Sequence, residues 1–423
     1  MRKFFPAACV LAGLLSSGPW LTQAAQKRAV PKVAQPAGRK LIVIAIDGLD
    51  SRFIRDADRL PVKIPTLRRM MANGISAEVA GMAPNLSWPA YAMIETGTPP
   101  EANGITNNQK LWLDGDLKTV PVWRTAAQKN LKAAAIYWPG SLGAHLDFNC
   151  PEYWEGGPQN ATNFDLLTSK CTPGLIDRVA KWDNSFLAPL WDDAVGVDVM
   201  RFLLTSEKPD LILLHLAELG AEQRETGALS LYARDVLEND DDLLGRALPK
   251  IPPGTVVAIV SDHGFDTERY VVRPKVMLKA AGLADAVTVK YGLIGVIDLR
   301  AAALLRKSAG VARSGIGREV PMSEVHRLAP DVHGWVAAFD TALGYIANEE
   351  THGPAVAGGN HRGIDGLWPT HDSSRAVFIV SGTGVKHARL GEISMLDEAP
   401  TFAEILGVKL LHARGTSVLG RVK

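Results

Sequence analysis

Three short motifs in the 423-residue chain carry side chains that bind divalent metals or activate a hydroxyl. The apolar run LIVIAI (41–46) ends in Asp47-Gly48, and TVVAIV (255–260) ends in Ser261-Asp262-His263-Gly264. Farther on, after a glycine-rich stretch, come Gly359-Asn360-His361-Arg362-Gly363. Two acids and two histidines on separate loops could converge on one ion. Carboxylate plus imidazole suits zinc or manganese better than magnesium. An Asp-Gly after a strand is usually only a turn. Asp-His directly after a buried strand says more, because two adjoining ionisable groups beside a core need a partner.

A nucleophile candidate lies in AGMAPNLSWPAYAMIETGTPPEANGITNN (80–108). Ser87 closes a Pro/Asn-rich turn and precedes the helical stretch AYAMIETG. A helix N-terminus presents free N–H groups and a positive dipole end, a natural seat for a phosphate or an alkoxide. The plainer expectation is that Ser87 is the N-cap of that helix. Sequence leaves both open.

The elements that must position these residues alternate. Near-continuous apolar runs at 41–46, 132–138, 211–216, 255–262 and 376–382 read as strands buried on both faces. Amphipathic stretches such as IPTLRRMMANG, TPGLIDRVAKW and LYARDVLENDDDLLGRAL separate them. This order predicts an α/β fold, a doubly wound, mostly parallel sheet with helices on both faces. In such a sheet, ligands bind beyond the carboxyl ends of the strands, where Asp47 and Asp262 fall. Residues 266–355 are less regular and predict a cap subdomain inserted before the last core strand.

Composition narrows the class. With 47% hydrophobic and 22% charged residues the chain is globular rather than disordered. A net charge of +1 supplies no global field for nucleic acid or an anionic membrane. Residues 1–24 have the layout of a secretory signal peptide: Arg2 and Lys3, then a run interrupted by proline, serine and glycine, then small residues. No retained membrane span is expected. Residues 25–38 read as a linker, and 39–423 as the functional domain. Removal of the signal takes Cys9 and leaves Cys150 and Cys171, an even number in an oxidising compartment and a fair expectation for a disulfide.

In order along the chain, AIDGLD, NLSWPAYAMIETGTPPEANGITNN, YWPGS (137–141), VSDHGF, GGNHRG and FIVSGTGVK resemble the type I phosphodiesterase/nucleotide pyrophosphatase branch of the alkaline phosphatase superfamily. The resemblance spans about 40 to 420. It implies an alkaline phosphatase-like fold and the following roles. Asp47, Asp262 and His263 match the ligands of the metal that holds and activates the nucleophile. Ser87 falls on the nucleophile and metal-ligand position, where this branch usually has threonine. Asn108 matches the asparagine that donates to a phosphoryl oxygen. Trp88 matches the aromatic residue after the nucleophile. His361 resembles one of three ligands of a second metal.

The chain departs from the family at the other two ligands of that second metal. The family pattern Asp-x-x-x-His aligns with LILLHLAELGAEQRETG, where Gly220 and Arg224 stand instead. The change makes the protein more positive by two units, the charge of the ion it would lose. Arginine also has a planar fork that suits phosphate oxygens. The expectation is that Arg224 stands in for the second metal. Glu218 is the better spare ligand, and His352, Asp365 and His371 remain candidates.

The resemblance therefore implies an exported, metal-dependent phosphoric ester hydrolase, of phosphodiesterase type, working through a phosphoserine at Ser87. Its partner is a small phosphate ester. One divalent ion, zinc, is expected, and two are possible. With no second metal to bind, His361 becomes a candidate general base. Periplasmic or secreted placement follows from the signal. Two alternatives stand beside this reading: a catalytically impaired member that binds a phosphorylated ligand, and a one-metal phosphotransferase or sulfatase-like esterase.

Overall fold

The computed structural model describes residues 38–109, 113–153, 164–183, 186 and 192–422. The expected signal peptide at 1–24 and all but the last residue of the expected linker lie outside them. Along the chain, the strands that matter are β1 (Lys40–Ile46), β2 (Gly74–Ala80), β3 (Ala133–Trp138), β4 (Phe148–Pro151), β5 (Leu211–Leu216) and β6 (Thr255–Val260). Then follow β7 (Val287–Lys290), β8 (Leu293–Val296), β9 (Ile316–Val320), β10 (Ala337–Thr341), β11 (Ala376–Gly382) and β12 (Ala388–Ser394). The principal helices are α1 (Pro65–Ala72), α2 (Ser87–Thr96), α3 (Asp193–Phe202), α4 (Glu218–Thr226), α5 (Leu231–Ala247) and α6 (Glu398–Leu406).

The main sheet has eight strands in the order β12-β2-β11-β6-β1-β5-β3-β4. β1 pairs in parallel with β5 and β6, β3 with β4 and β5, and β12 with β2. Only β11 runs against its neighbours. The central strands are apolar on both faces because both faces are covered. Ile42, Ile44 and Ile46 of β1 join the core beneath α1, α3 and α5. Leu41, Val43 and Ala45 join the core beneath α2 and α6. Each fully buried Leu, Ile or Val contributes about 1.5–3 kcal/mol relative to exposure, so a shift of β1 in either direction along its axis is strongly opposed.

That register lines up the carboxyl ends. Ala45 lies opposite both His215 and Val260, and Ile46 opposite Leu216. Asp47, Ala217 and Ser261-Asp262 therefore leave the sheet side by side, and the loops that follow share one edge.

Between β6 and β11 the chain builds a separate antiparallel layer in the order β9-β10-β8-β7. It has its own apolar cluster, which includes Ile294, Leu305 and Phe339. The short pairing of Asp266–Thr267 with Gly363–Ile364 closes the base of this segment. It therefore reaches past the end at 355 expected from sequence, through a glycine-rich stretch whose composition gives no strand signal. No helix of the described residues is long and apolar enough to cross a membrane. Cys150 on β4 is bonded to Cys171.

Candidate active site

Asp47 is the first residue after β1, and Gly48 follows it at φ 66°. A side chain at 48 would strike the Phe265 ring as well as strain the backbone, so the turn calls for glycine. The turn is pinned from three directions. Gly48 N–H donates to Asp262 Oδ1 (2.9 Å), Ser261 Oγ donates to the Leu49 carbonyl (2.7 Å), and Gln223 Nε2 donates to the Gly48 carbonyl (2.8 Å). The ends of β1 and β6 and the helix α4 are thus held as one frame.

Within it, one ligand atom from each of Asp47, Asp262 and His263 lies within 4.8 Å of the others, and all three residues are buried. His263 Nδ1 is 3.0 Å from the Gly264 carbonyl, which it serves as donor. Nε2 then faces Ser87 Oγ at 3.1 Å, Asp262 Oδ2 at 3.1 Å and Asp365 Oδ2 at 3.5 Å. Asp262 Oδ2 is off the axis of any N–H, so this buried oxygen has no hydrogen-bond donor. The group wants a positive charge at its centre. Without one from an ion, the proton supplies it: burial opposes the charged imidazole, but Asp262 and the neighbouring carboxylates push His263 up to about 9. Burial pushes Asp47 up to about 6, Arg224 partly offsetting it. Asp262, despite burial, is held below the ordinary carboxylate range by His263 and the Gly48 N–H. Two carboxylates and an imidazole around an undonated oxygen fit a divalent ion of the zinc type.

Ser87 is the first residue of α2 rather than its cap; Leu86 holds the cap position and makes no side-chain cap bond. The Ser87 hydroxyl is directed instead at His263 Nε2, and Arg224 Nη2 lies 3.3 Å from the same oxygen. Asn108 Oδ1 accepts the Trp88 N–H at 3.0 Å. One N–H of the helix terminus is therefore already engaged, and Asn108 is oriented with its amide nitrogen free of hydrogen bonds to described residues.

Helix α4 brings positions 220 and 224 onto one face, as a spacing of four requires. Gly220 packs on Asp47 so closely that a Cβ there would lie 2.0 Å from Oδ1. Arg224 reaches over it. Its Nη2 is 3.4 Å from Asp47 Oδ1 and 3.2 Å from Asp365 Oδ2, and its guanidinium stacks over Phe265 at 5.1 Å.

The structure corrects the assignment of His361. Its side chain is exposed, its backbone is left-handed at φ 64°, and its N–H is spent on the Glu268 carbonyl (2.8 Å). It is not among the residues that line the cavity holding Ser87 and Arg224. Asp365, just past that strand, occupies the place beside Arg224 and His263. Glu218 is not a spare ligand either: it faces Asp193, whose N–H lies 3.4 Å from Glu218 Oε1. His352 is exposed beside Thr351, and His371 bonds Ser373.

These groups open into a cavity of about 490 Å³, whose walls include Trp88, Tyr137, Glu152 and His215. Tyr137 sits at φ 52°, where the pairing of β3 with β4 is irregular, and a bulge of that kind re-aims a side chain. Its carbonyl accepts from His215 Nδ1 at 3.1 Å, which leaves His215 Nε2 as a buried lone pair with no hydrogen bond, 3.9 Å from Asp47 Oδ2. Burial pushes His215 down to about 4, so it is neutral. Sequence reading singled out neither Glu152 nor His215. Asp365 carries the same signal as Asp47, an Asp-Gly directly after a strand.

Comparison with known proteins bears on the chain's family. The family model for type I phosphodiesterase / nucleotide pyrophosphatase matches residues 41–314. Ectonucleotide pyrophosphatase/phosphodiesterase family member 3 of Rattus norvegicus is 26% identical over 274 residues, 59% of this chain and 27% of that protein. Venom phosphodiesterase CdcPDE of Crotalus durissus collilineatus is 29% identical over 257 residues, 55% of this chain and 27% of that one. The chain thus spans about a quarter of the length of these curated relatives. Among solved structures, murine ectonucleotide pyrophosphatase/phosphodiesterase 5 shares the fold at a TM-score of 0.57 and 16% identity, covering 89% of this chain and 98% of that one. An inactive threonine-to-alanine variant of the murine protein in complex with AMP matches equally, at a TM-score of 0.57 and 15% identity, over 89% and 97% of the two chains. A match over well more than half the chain, on an alkaline phosphatase-like sheet whose strand ends bring Asp47, Asp262 and His263 together, places this chain in the type I phosphodiesterase/nucleotide pyrophosphatase family.

Proposed function

We propose that the chain is an exported phosphodiesterase-type hydrolase that forms a phosphoserine at Ser87, uses one divalent ion, and employs Arg224 where its family has a second. The observation that carries this is the convergence on Ser87 Oγ of His263 Nε2 at 3.1 Å and Arg224 Nη2 at 3.3 Å, at a helix start inside a cavity. The family membership and the relatives' names, phosphodiesterase and nucleotide pyrophosphatase, support the reaction class.

Asp47, Asp262 and His263 would hold the ion. A divalent cation there supplies the charge that makes a serine hydroxyl acidic enough to ionise near neutrality. Ser87 Oγ then attacks phosphorus, and the leaving oxygen departs on the opposite side. The Arg224 fork and the Asn108 amide hold the remaining phosphoryl oxygens as charge grows on them. Water next attacks the phosphoserine and releases Ser87. His361, exposed and outside the cavity, takes no part in this scheme. Charge also favours a diester. Asp47, Asp262, Asp365 and the ionised Ser87 give −4, Arg224 gives +1 and a divalent ion +2, a sum of −1 that repels a dianionic monoester more than a monoanionic diester.

Loss of the second ligand pair also supports a binding protein without turnover, since Gly220 and Arg224 cannot coordinate a metal. One experiment separates the two. The zinc-loaded protein is incubated with bis(p-nitrophenyl) phosphate, quenched in acid, and Ser87 is examined for phosphorylation by mass spectrometry. Release of p-nitrophenol with label on Ser87, both lost in Ser87→Ala, is expected. Binding of phosphate esters with no p-nitrophenol release would establish the second reading.

A further inference from the structure

A phosphodiester with an ordinary alcohol as leaving group needs a proton, or a Lewis acid, on the departing oxygen. The proposed hydrolase keeps its ion on the side of Ser87, and the arginine that replaces the second ion does not give up its proton. Such an acid must come from the cavity wall.

Four carboxyl groups line it: Asp47, Glu152, Glu225 and Asp365. Asp47 and Asp365 face Arg224 at 3.4 and 3.2 Å. Glu225, exposed, is paired with Arg362 at 3.0 Å. Glu152 alone has no cationic partner among the described residues. Its Oε2 lies 3.3 Å from the indole Nε1 of Trp88, a neutral donor, and the residue is only 8% exposed. A carboxyl desolvated in this way, with a neutral donor for company, keeps its proton. Burial pushes it well above the usual range, with the Trp88 hydrogen bond and Arg224 offsetting only part of the shift. The other candidates lack a usable proton. His215 Nε2 is a lone pair, and the Tyr91 hydroxyl is fully enclosed and pushed above its ordinary 10 by burial.

Glu152 is also held firmly. It follows β4 directly, its N–H donates to the Trp138 carbonyl at 3.3 Å, and Cys150 two residues earlier is bridged to Cys171. The Trp88 indole ties it to the residue after the nucleophile.

We propose that Glu152 is the general acid that protonates the leaving oxygen, an inference that rests on the phosphodiesterase reading. In the first step Ser87, already ionised with its proton lost to solvent, forms the Oγ–P bond as the P–O bond to the alcohol breaks. The alcohol oxygen takes the Glu152 proton, leaving a carboxylate. In the second step water attacks phosphorus, its proton passes to that carboxylate, and the Ser87 Oγ–P bond breaks. Ser87 and Glu152 return to their starting forms, and one water is consumed. The same position serves leaving group and attacking water, as microscopic reversibility demands.

The test is the dependence on leaving group in the zinc-loaded full chain. Methyl p-nitrophenyl phosphate expels an anion that needs no proton, whereas methyl phenyl phosphate expels a phenoxide whose acid has a pKa of about 10. Glu152→Gln keeps an acceptor for Trp88 Nε1 but has no acidic proton. It should lower kcat/KM about 10²- to 10⁴-fold on the phenyl ester and leave the p-nitrophenyl ester within about threefold. Equal loss on both esters would show a structural role and overturn the proposal, as would no loss on either. Should Glu152→Gln fail to fold, Glu152→Asp must show the same selective loss in milder form, and uniform loss there overturns it equally. If the wild type turns over neither ester, the phosphodiesterase reading falls first and this inference with it.

Discussion

Replacement of Gly220 by alanine probes the arrangement most directly, because it adds a net CH2 at the point where α4 touches a proposed metal ligand. The new Cβ would lie 2.0 Å from Asp47 Oδ1, 2.4 Å from its Cγ and 3.0 Å from its Cβ. Something must yield by about 1 Å before the contact is tolerable. The helix is the stiffer partner. Gln223 is bonded to the Gly48 carbonyl, and Asp193 accepts the N–H groups of Ala217 and Glu218 at its start. The Asp47 carboxylate should therefore swing aside, at about 0.5–1.5 kcal/mol for an unfavourable rotamer. A displaced ligand should weaken zinc binding about 10- to 100-fold, or about 1.4–2.8 kcal/mol. Meanwhile alanine is the better helix residue by about 1 kcal/mol, so the metal-free fold should change little. The assay pairs zinc affinity by chelator competition with thermal melting of the chelated protein. Zinc affinity within threefold of wild type would refute the argument, since Asp47 would then be no ligand or the contact no constraint. The same geometry bears on Gly220→Asp with Arg224→His. A second ion can enter that double variant only if Asp47 first rotates away from position 220.

Arg224→Ala removes a charged donor 3.3 Å from the nucleophile and should cost about 2–4 kcal/mol of transition-state stabilisation, about 30- to 1,000-fold in kcat/KM on bis(p-nitrophenyl) phosphate. An unchanged rate would make the guanidinium a bystander. Elemental analysis of protein reconstituted with zinc and desalted should find about one ion per chain, and close to two would point to ligands beyond Asp47, Asp262 and His263. Burial, aided by Glu218, pushes Asp193 up to about 8 from 3.8. Its contribution is thus full below about pH 4 and is lost as pH rises toward 8. Melting curves across that window should show Asp193→Asn gaining on the wild type with rising pH, and parallel curves would reject the assignment. Reduction of the Cys150–Cys171 bridge, which spans a separation of 21 residues, should lower stability by about 3 kcal/mol, read as a fall in the denaturant midpoint.

Much of the molecule was legible along the chain. LIVIAI and TVVAIV read as strands covered on both faces because they are short, continuously apolar and rich in β-branched residues, and an acid directly after such a strand lies at the sheet edge where ligands bind. Asp47, Asp262 and His263 follow from that logic and from motif order. The face shared by Gly220 and Arg224 follows from helical spacing. What sequence could not reach depends on turns and on distant segments. His361 and Asp365 are four residues apart in one glycine-rich loop, and only the pairing of Gly363–Ile364 with Asp266–Thr267 decides which of them faces Arg224. Glu152 carries no motif. Its environment is made by Trp88, 64 positions earlier, and by the cavity wall around it. Strand and helix periods are local properties of the backbone, repeated every two or 3.6 residues, and so are written in order along the chain. The protonation of a carboxyl depends on which charges and donors lie within a few ångströms, and that is settled only when segments far apart in sequence are brought together.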